Sequence, residues 1–338
     1  METKLLSTSD CDIRYAGNVI KEGGLVGFPT ETVYGLGANA LDPDAVKKIF
    51  AAKGRPADNP LIVHISKLDQ WKTLVKDIPE SAYRLAEAFW PGPLTVILEK
   101  KDIVPYVTSG NLDTVAVRMP SDETARRLID AAGVPIAAPS ANTSGKPSPT
   151  TAKHVFDDMN GKIEAIIDGG KCGVGVESTV ITLVSDVPTL LRPGGITPEM
   201  LEGVLGKINI DEAVYSKLKD GVKASSPGMK YKHYSPKAHV TLVKGDFDRF
   251  KEYISSQKDE NIIALVFDGE ENSLPVKAIP YGDEKDSLSQ AQNIFAALRE
   301  VDELGASRAY VRYPIREGMG LAVYNRLIRA AAFEVIEP

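Results

Sequence analysis

The sequence predicts a two-domain α/β protein, and three observations carry that prediction. The chain has 338 residues, more than one hydrophobic core usually organises, since domains cluster at about 100–200 residues. Short apolar runs alternate with amphipathic stretches over the N-terminal two-thirds, the pattern of strands and helices packed in layers. From about Lys207 to Lys237 the periodicity fades into a stretch rich in breakers, aromatics and positive charge, and a second α/β alternation follows. The expected division is a first domain over 1–206, a linker over 207–237 and a second domain over 238–338.

Each element has a local reason. Gly24–Phe28 reads as a strand leading into the loop Pro29-Thr30-Glu31-Thr32. Asp42 can cap a helix that has Pro43 at its first position and Gly54 just past its end, which puts Lys53 in the last turn. Further strands are expected at 61–65, 94–98, 115–117, 135–138, 165–167, 179–184 and 189–191, and helices at 81–89, 122–132, 152–159 and 198–205. So many strands at uneven spacing point to one large mixed sheet, because strict βα alternation would need a helix between each pair. In the second domain, strands at 239–243, 262–267, 276–280 and 309–312 alternate with helices at 247–255, 288–304 and 321–332, as a small, mostly parallel layer requires.

Composition excludes several functions. The formal net charge is -6, and residues 1–206 carry 21 Lys plus Arg against 26 Asp plus Glu, so neither half is basic. A protein whose main task is to coat nucleic acid needs a basic surface to neutralise phosphates. Any polyanion site here must be a local pocket. The two cysteines, Cys11 and Cys172, supply neither a disulfide framework nor a zinc site and fit a reducing compartment. With no basic-then-apolar leader and no run of about 18 apolar residues, a cytoplasmic protein is expected.

The common phosphate and hydrolase motifs are missing. There is no Gly-x4-Gly-Lys-Ser/Thr, His-Glu-x-x-His or Gly-x-Ser-x-Gly, and Gly173-Val174-Gly175 leads into a β-rich run where a dinucleotide fingerprint would open a helix. Other stretches carry more. In Lys53-Gly54-Arg55-Pro56 two cations are separated by one glycine at a helix end, and they can converge on a triphosphate as point charge and planar fork. Alternatively, Lys53 complements the helix C-terminus and Arg55 is solvated. Ser140-Ala141-Asn142 follows an apolar strand, where small polar groups suit a ligand in the crevice or close an ordinary turn. Thr30 to Tyr34 gathers polar groups after a strand, and Gly35 and Gly37 permit close backbone approach. Arg118 and Arg192 emerge from strands, toward a ligand or an ion pair. His64 points either into the core or into a pocket beside Asn59. Ser178 has no histidine base nearby in sequence, so ligand contact is a better reading than nucleophile.

Taken in order, Phe28–Gly37, Lys53–His64, Trp90–Thr95, Val115–Pro120, Ala138–Asn142, Val176–Thr179, Leu191–Gly194 and Pro227–Tyr234 resemble the L-threonylcarbamoyladenylate synthase family, the YrdC-like domain in its long form with a C-terminal accessory domain. The resemblance implies a large twisted mixed sheet with a positively lined cleft, joined by a linker to a smaller Rossmann-like α/β domain. It implies synthesis of threonylcarbamoyl-AMP and pyrophosphate from threonine, bicarbonate and ATP with Mg2+, supplying the threonylcarbamoyl group for tRNA adenosine modification. The transfer to tRNA then belongs to partner proteins, and direct tRNA binding is left open. By resemblance, ATP is held by Lys53, Arg55, Asn59, Ser140, Asn142, Arg192, Tyr231 and Tyr234, with Lys53 and Arg55 catalytic. Threonine is assigned to Thr30, His64, Arg118 and Ser178. The magnesium would be held mainly by ATP phosphates, and residues 229–234 would form a lid over the loaded cleft. The competing reading is an RNA-binding or ribosome-associated module that uses the same cationic cleft, which the acidic balance disfavours.

Overall fold

Cap chemistry sets the first helices of the computed structural model, which describes residues 2–56, 59–217, 234–259 and 261–338. The Asp42 carboxylate accepts from the backbone N–H groups of Asp44 and Ala45, Pro43 occupies the first turn, and Gly54 ends helix Pro43–Lys53 in the left-handed conformation at φ 65°. Ser9 caps helix Asp10–Lys21 in the same way through Asp12 N–H. The sequence reading had not picked out that helix or the strand Lys4–Leu6 before it.

The described residues fall into two compact units, one holding 2–144, 148–173 and 177–217, the other 145–147, 174–176 and 234–338. In the first, eleven described strands form one mixed sheet. Lys4–Leu6 lies at one edge, followed across the sheet by Ala165–Ile167, Val26–Phe28, Gly35–Asn39, Ile136–Ala138 and Ile62–His64. The order continues through Thr114–Arg118, Leu94–Glu99, Thr179–Thr182 and Thr189–Arg192 to Asn209–Ile210 at the other edge. Parallel and antiparallel pairings are interleaved.

Helices Asp10–Lys21 and Glu123–Ala132 pack against each other, so closely that a Cβ on Gly17 would lie 2.7 Å from Ala131. They share a core with Phe28, Ile136 and Ala138. Ile13 and Ile20 go fully into that core, each worth about 1.5–3 kcal/mol. A larger core, with Trp71 at 0% exposure, includes residues of helix Pro43–Lys53 and of Leu68–Leu74, Glu80–Phe89 and Pro198–Leu205.

Two sequence expectations are corrected. Residues 35–39, where the sequence predicts no strand, form one antiparallel to Val26–Phe28. Its glycines give room instead of bend: a Cβ on Gly37 would sit 2.9 Å from the Phe28 ring and 2.8 Å from Ile136. The stretch after Gly206, read as the start of the linker, contains strand Asn209–Ile210 beside Thr189–Arg192 and a 3-10 turn that buries Ala213 and Val214. Only two residues pair there, too few for a period to show. Residues 218–233, and with them Tyr231, lie outside the described residues.

In the second unit five described strands are ordered Lys277–Pro280, Ile262–Val266, Arg308–Arg312, His239–Val243 and Val335–Ile336, and every neighbouring pair is parallel. Ile262–Val266 is buried at every position, as a parallel strand covered on both faces requires. Among the described residues no helix is long and apolar enough to cross a membrane.

The caps and the close approach can be tested against each other by urea unfolding. Asp42→Ala should cost about 1 kcal/mol, as loss of an N-cap does. Gly37→Ala should cost more, about 1–3 kcal/mol, because its methyl group must displace the Phe28 ring.

Candidate functional site

Lys53 closes its helix with an ammonium group that is 2% exposed. Nζ donates to the backbone carbonyl of Ser140 at 2.5 Å and of Asn142 at 2.6 Å, with the Asn142 side-chain oxygen at 3.5 Å. Ser144 N–H donates back to Lys53 O. Ser140 Oγ donates to Asn142 Oδ1 at 2.6 Å, which turns that amide oxygen inward. A cation at a helix C-terminus thus becomes the clamp on a turn that follows strand Ile136–Ala138.

Gly54 carries the chain out of the helix to Arg55, half-buried, whose guanidinium lies 5.3 Å from the Phe50 ring centre and whose Nη2 reaches Asn59 O at 3.4 Å. Asn59 is 1% exposed, and neither Oδ1 nor Nδ2 has a hydrogen-bond partner among the described residues. A buried amide of this kind is costly unless a ligand or water completes it.

The second cluster follows from strand register. Ile62–His64 runs parallel to Thr114–Arg118 with His64 opposite Arg118, and antiparallel to Ile136–Ala138 with His64 opposite Ile136. By the two-residue period, His64 and Arg118 therefore stand on the face of Ile62 and Ala116. Arg118 is 3% exposed. Its Nη1 donates to Thr32 Oγ1 at 2.9 Å, its Nε to Gly92 O at 3.3 Å, and its Nη2 approaches Glu31 Oε1 to 2.8 Å. That approach is an ion pair by distance, yet its angle misses hydrogen-bond geometry, and both Glu31 oxygens keep hydrogen-bonding capacity. Burial is the largest single influence and would raise the Glu31 carboxyl, but the Arg118 guanidinium and nearby backbone N–H groups together hold it below the usual range.

His64 packs edge-on against Phe28, with ring centres 6.0 Å apart. Its Nδ1 has no hydrogen-bond partner among the described residues. Burial, then repulsion by Arg118, lowers its pKa to about 3, with Glu31 opposing only in part. The ring is neutral at pH 7, and the core and pocket readings left open by the sequence merge into a neutral imidazole beside a buried ion pair.

Two residues make bonds within the protein that their assignment to threonine did not include. The Thr30 hydroxyl donates to Val33 O at 2.6 Å and accepts from the N–H groups of Thr32 and Val33. It closes its own turn, and Thr32 is the residue that touches Arg118. Ser178, assigned to threonine with Arg118, accepts from Arg192 Nη2 at 3.1 Å, while Arg192 Nε donates to Ser178 O at 3.0 Å. A register shift between Leu190 and Arg192 accompanies this arrangement, and Gly194 allows it, since a Cβ there would meet Thr179 N at 2.3 Å. Tyr234 belongs to the second unit, buried with its ring 5.3 Å from Phe295 and Arg326 5.6 Å over it. The sequence reading passed over Glu31, Thr32 and Thr95 as site residues. The first two lay in the polar stretch already singled out, and Thr95 was the one hydroxyl in an apolar strand.

Residues 18–194 match the Sua5, YciO and YrdC family described as telomere recombination, and residues 196–332 match the C-terminal domain of threonylcarbamoyl-AMP synthase. The chain is 52% identical to the threonylcarbamoyl-AMP synthase of Pyrococcus abyssi, over 96% of this chain and 95% of that one. It is 46% identical to the Bacillus subtilis protein of the same name, over 99% and 97%. The crystal structure of P. abyssi Sua5 complexed with L-threonine superposes with a TM-score of 0.92 at 49% identity, covering 99% of this chain and 100% of that one.

The depressed His64 pKa has a stability consequence. Unfolded, its imidazole takes up a proton near pH 6.5, whereas folded it does so only near pH 3. Between these values the unfolded state binds more protons, so stability falls as pH drops. The expected loss from pH 7 to pH 4 is on the order of 3 kcal/mol from this group, and His64→Leu should flatten that slope in urea unfolding.

Proposed function

The chain belongs to the threonylcarbamoyl-AMP synthase family, and on that premise we infer how its first unit makes threonylcarbamoyl-AMP from threonine, bicarbonate and ATP with release of pyrophosphate. The observation that carries the residue assignment is the burial of three cations, Lys53, Arg118 and Arg192, in one unit that also buries the Asn59 amide and the Glu31 carboxylate with hydrogen-bonding capacity to spare among the described residues.

The chemistry needs no covalent enzyme nucleophile. The threonine amine adds to carbon dioxide with loss of a proton, or condenses with bicarbonate with loss of water, to give a carbamate; a carbamate oxygen then bonds to the α-phosphorus as the bond to pyrophosphate breaks. The protein's part is to hold two ligands in line and to stabilise charge that grows on phosphate oxygens. Lys53 and Arg55 do this at the phosphates, where Lys53 also holds Ser140 and Asn142 as the nucleotide wall and Asn59 offers its unsatisfied amide. At the amino acid, Arg118 takes the threonine carboxylate, with Thr30 and Thr32 shaping the loop that supports it and neutral His64 lining the pocket. Ser178 and Arg192 act as one unit at the junction of the two ligands.

Among the described residues no three His, Cys, Asp or Glu groups converge on a point. A magnesium ion would come with the ATP phosphates and neutralise the pyrophosphate as it leaves. The product is an activated acyl donor for the modification of tRNA adenosine, with the transfer carried out by other proteins.

The reaction is tested by mass spectrometry of the products from ATP, 13C-bicarbonate and threonine. A threonine-dependent AMP adduct that carries the label is expected, and its absence removes the reading. Arg118→Ala should raise KM for threonine at least about tenfold, as loss of a charged hydrogen bond does, while KM for ATP changes little. Unchanged threonine dependence of pyrophosphate release would remove Arg118 from the amino-acid site.

A further inference from the structure

We propose that Thr95 is a positioning residue that orients the Ser178 hydroxyl to donate to an anionic oxygen of the substrate. This rests on the reading of the first unit as the site of threonylcarbamoyl-AMP synthesis, in which Thr95 has so far had no part.

Thr95 lies on strand Leu94–Glu99, and Ser178 directly precedes the parallel strand Thr179–Thr182, with Leu94 opposite Thr179. Both side chains are 0% exposed, and their hydroxyl oxygens are 2.8 Å apart. Arg192 donates to Ser178 Oγ through Nη2. A guanidinium can only donate, so that contact uses an acceptor site on Ser178 and none of its hydrogen.

The hydrogens can then be counted. Thr95 and Ser178 have one hydroxyl hydrogen each, and the single bond between them uses one. Neither hydroxyl has a further hydrogen-bond partner among the described residues. One hydrogen is left over, buried, in the field of a cation. A buried donor without an acceptor is disfavoured, and such a group in a folded protein calls for a ligand or an ordered water.

An anionic oxygen completes the count. The hydrogen-bond chain then runs from Thr95 to Ser178 to the ligand, and the Arg192 bond onto the same Ser178 oxygen strengthens the last link by polarising it. A threonine carboxylate or carbamate oxygen and an ATP phosphate oxygen share this chemistry. Without the Thr95 hydroxyl, Ser178 loses the bond that fixes its rotation, although Arg192 still holds its oxygen.

The test uses the full chain with Thr95→Val, which keeps the shape and removes the hydroxyl, and Thr95→Ser, which restores it. Threonine and ATP–Mg are titrated separately by calorimetry, and KM and kcat are read from pyrophosphate release. Thr95→Val is expected to weaken Kd and raise KM for one substrate about tenfold and to leave the other within about twofold, with Thr95→Ser near wild type. An effect on threonine assigns the oxygen to the carboxylate or carbamate, and an effect on ATP assigns it to phosphate. If Thr95→Val does not fold, Ser178→Ala should show the same one-sided loss. Constants unchanged for both substrates, or equal losses that Thr95→Ser does not restore, overturn the proposal and leave an ordered water as the acceptor. Wild-type protein that binds both ligands but forms no labelled adduct would sink the reaction assignment alone, and the binding constants would still decide the role of Thr95.

Discussion

A buried ammonium must be solvated by the protein itself, and at Lys53 three oxygens of residues 140 and 142 provide that solvation. Taking such a charge out of water costs several kcal/mol unless its donors are satisfied, so helix Pro43–Lys53 and the Ser140–Asn142 turn are held to one arrangement. The Ser140 hydroxyl and Asn142 amide inherit their orientation from that clamp, and Arg55 begins only two residues beyond it. Much of the geometry around Lys53 therefore depends on where one helix ends. That end is set by Gly54, which alone among common residues takes φ 65° without strain.

Around Arg118 the same logic works through strand register. Guanidinium does not lose its charge, so it keeps a carboxylate at 2.8 Å and a hydroxyl at 2.9 Å. The nearby imidazole responds by staying neutral. His64 meets the Phe28 ring at right angles, and Phe28 lies close against the glycines of the neighbouring strand. The polar groups stand on a sheet whose remaining face is apolar, where hydrogen bonds and charges act more strongly than in water. That setting suits a reaction that develops charge on phosphate oxygens and makes a product that water would destroy.

Ser178 and Arg192 show what a local pattern leaves out. Each was read separately, one for threonine and one for ATP, but the structure joins them through two hydrogen bonds. Their pairing depends on a register shift and on a glycine close to Thr179, and neither has a signature in a single sequence. Thr30 is a milder case. A hydroxyl two and three residues before free N–H groups closes a turn as readily as it binds a ligand, and only the coordinates show which it does.

The sequence by itself determined the two-part α/β plan, the helix over residues 43–53 with both of its caps, and the buried runs of the second sheet, because caps, turns and hydrophobic periods act over a few residues. The motifs taken in order also identified the family. Only the tertiary structure decided that Gly35–Asn39 is a strand, that Asn209–Ile210 extends the first sheet, and that Lys53 meets Ser140, His64 meets Arg118 and Thr95 meets Ser178. Those partners are far apart along the chain, and sheet order and register bring them together. Register depends on the burial of a whole face at once, which no short window of sequence contains.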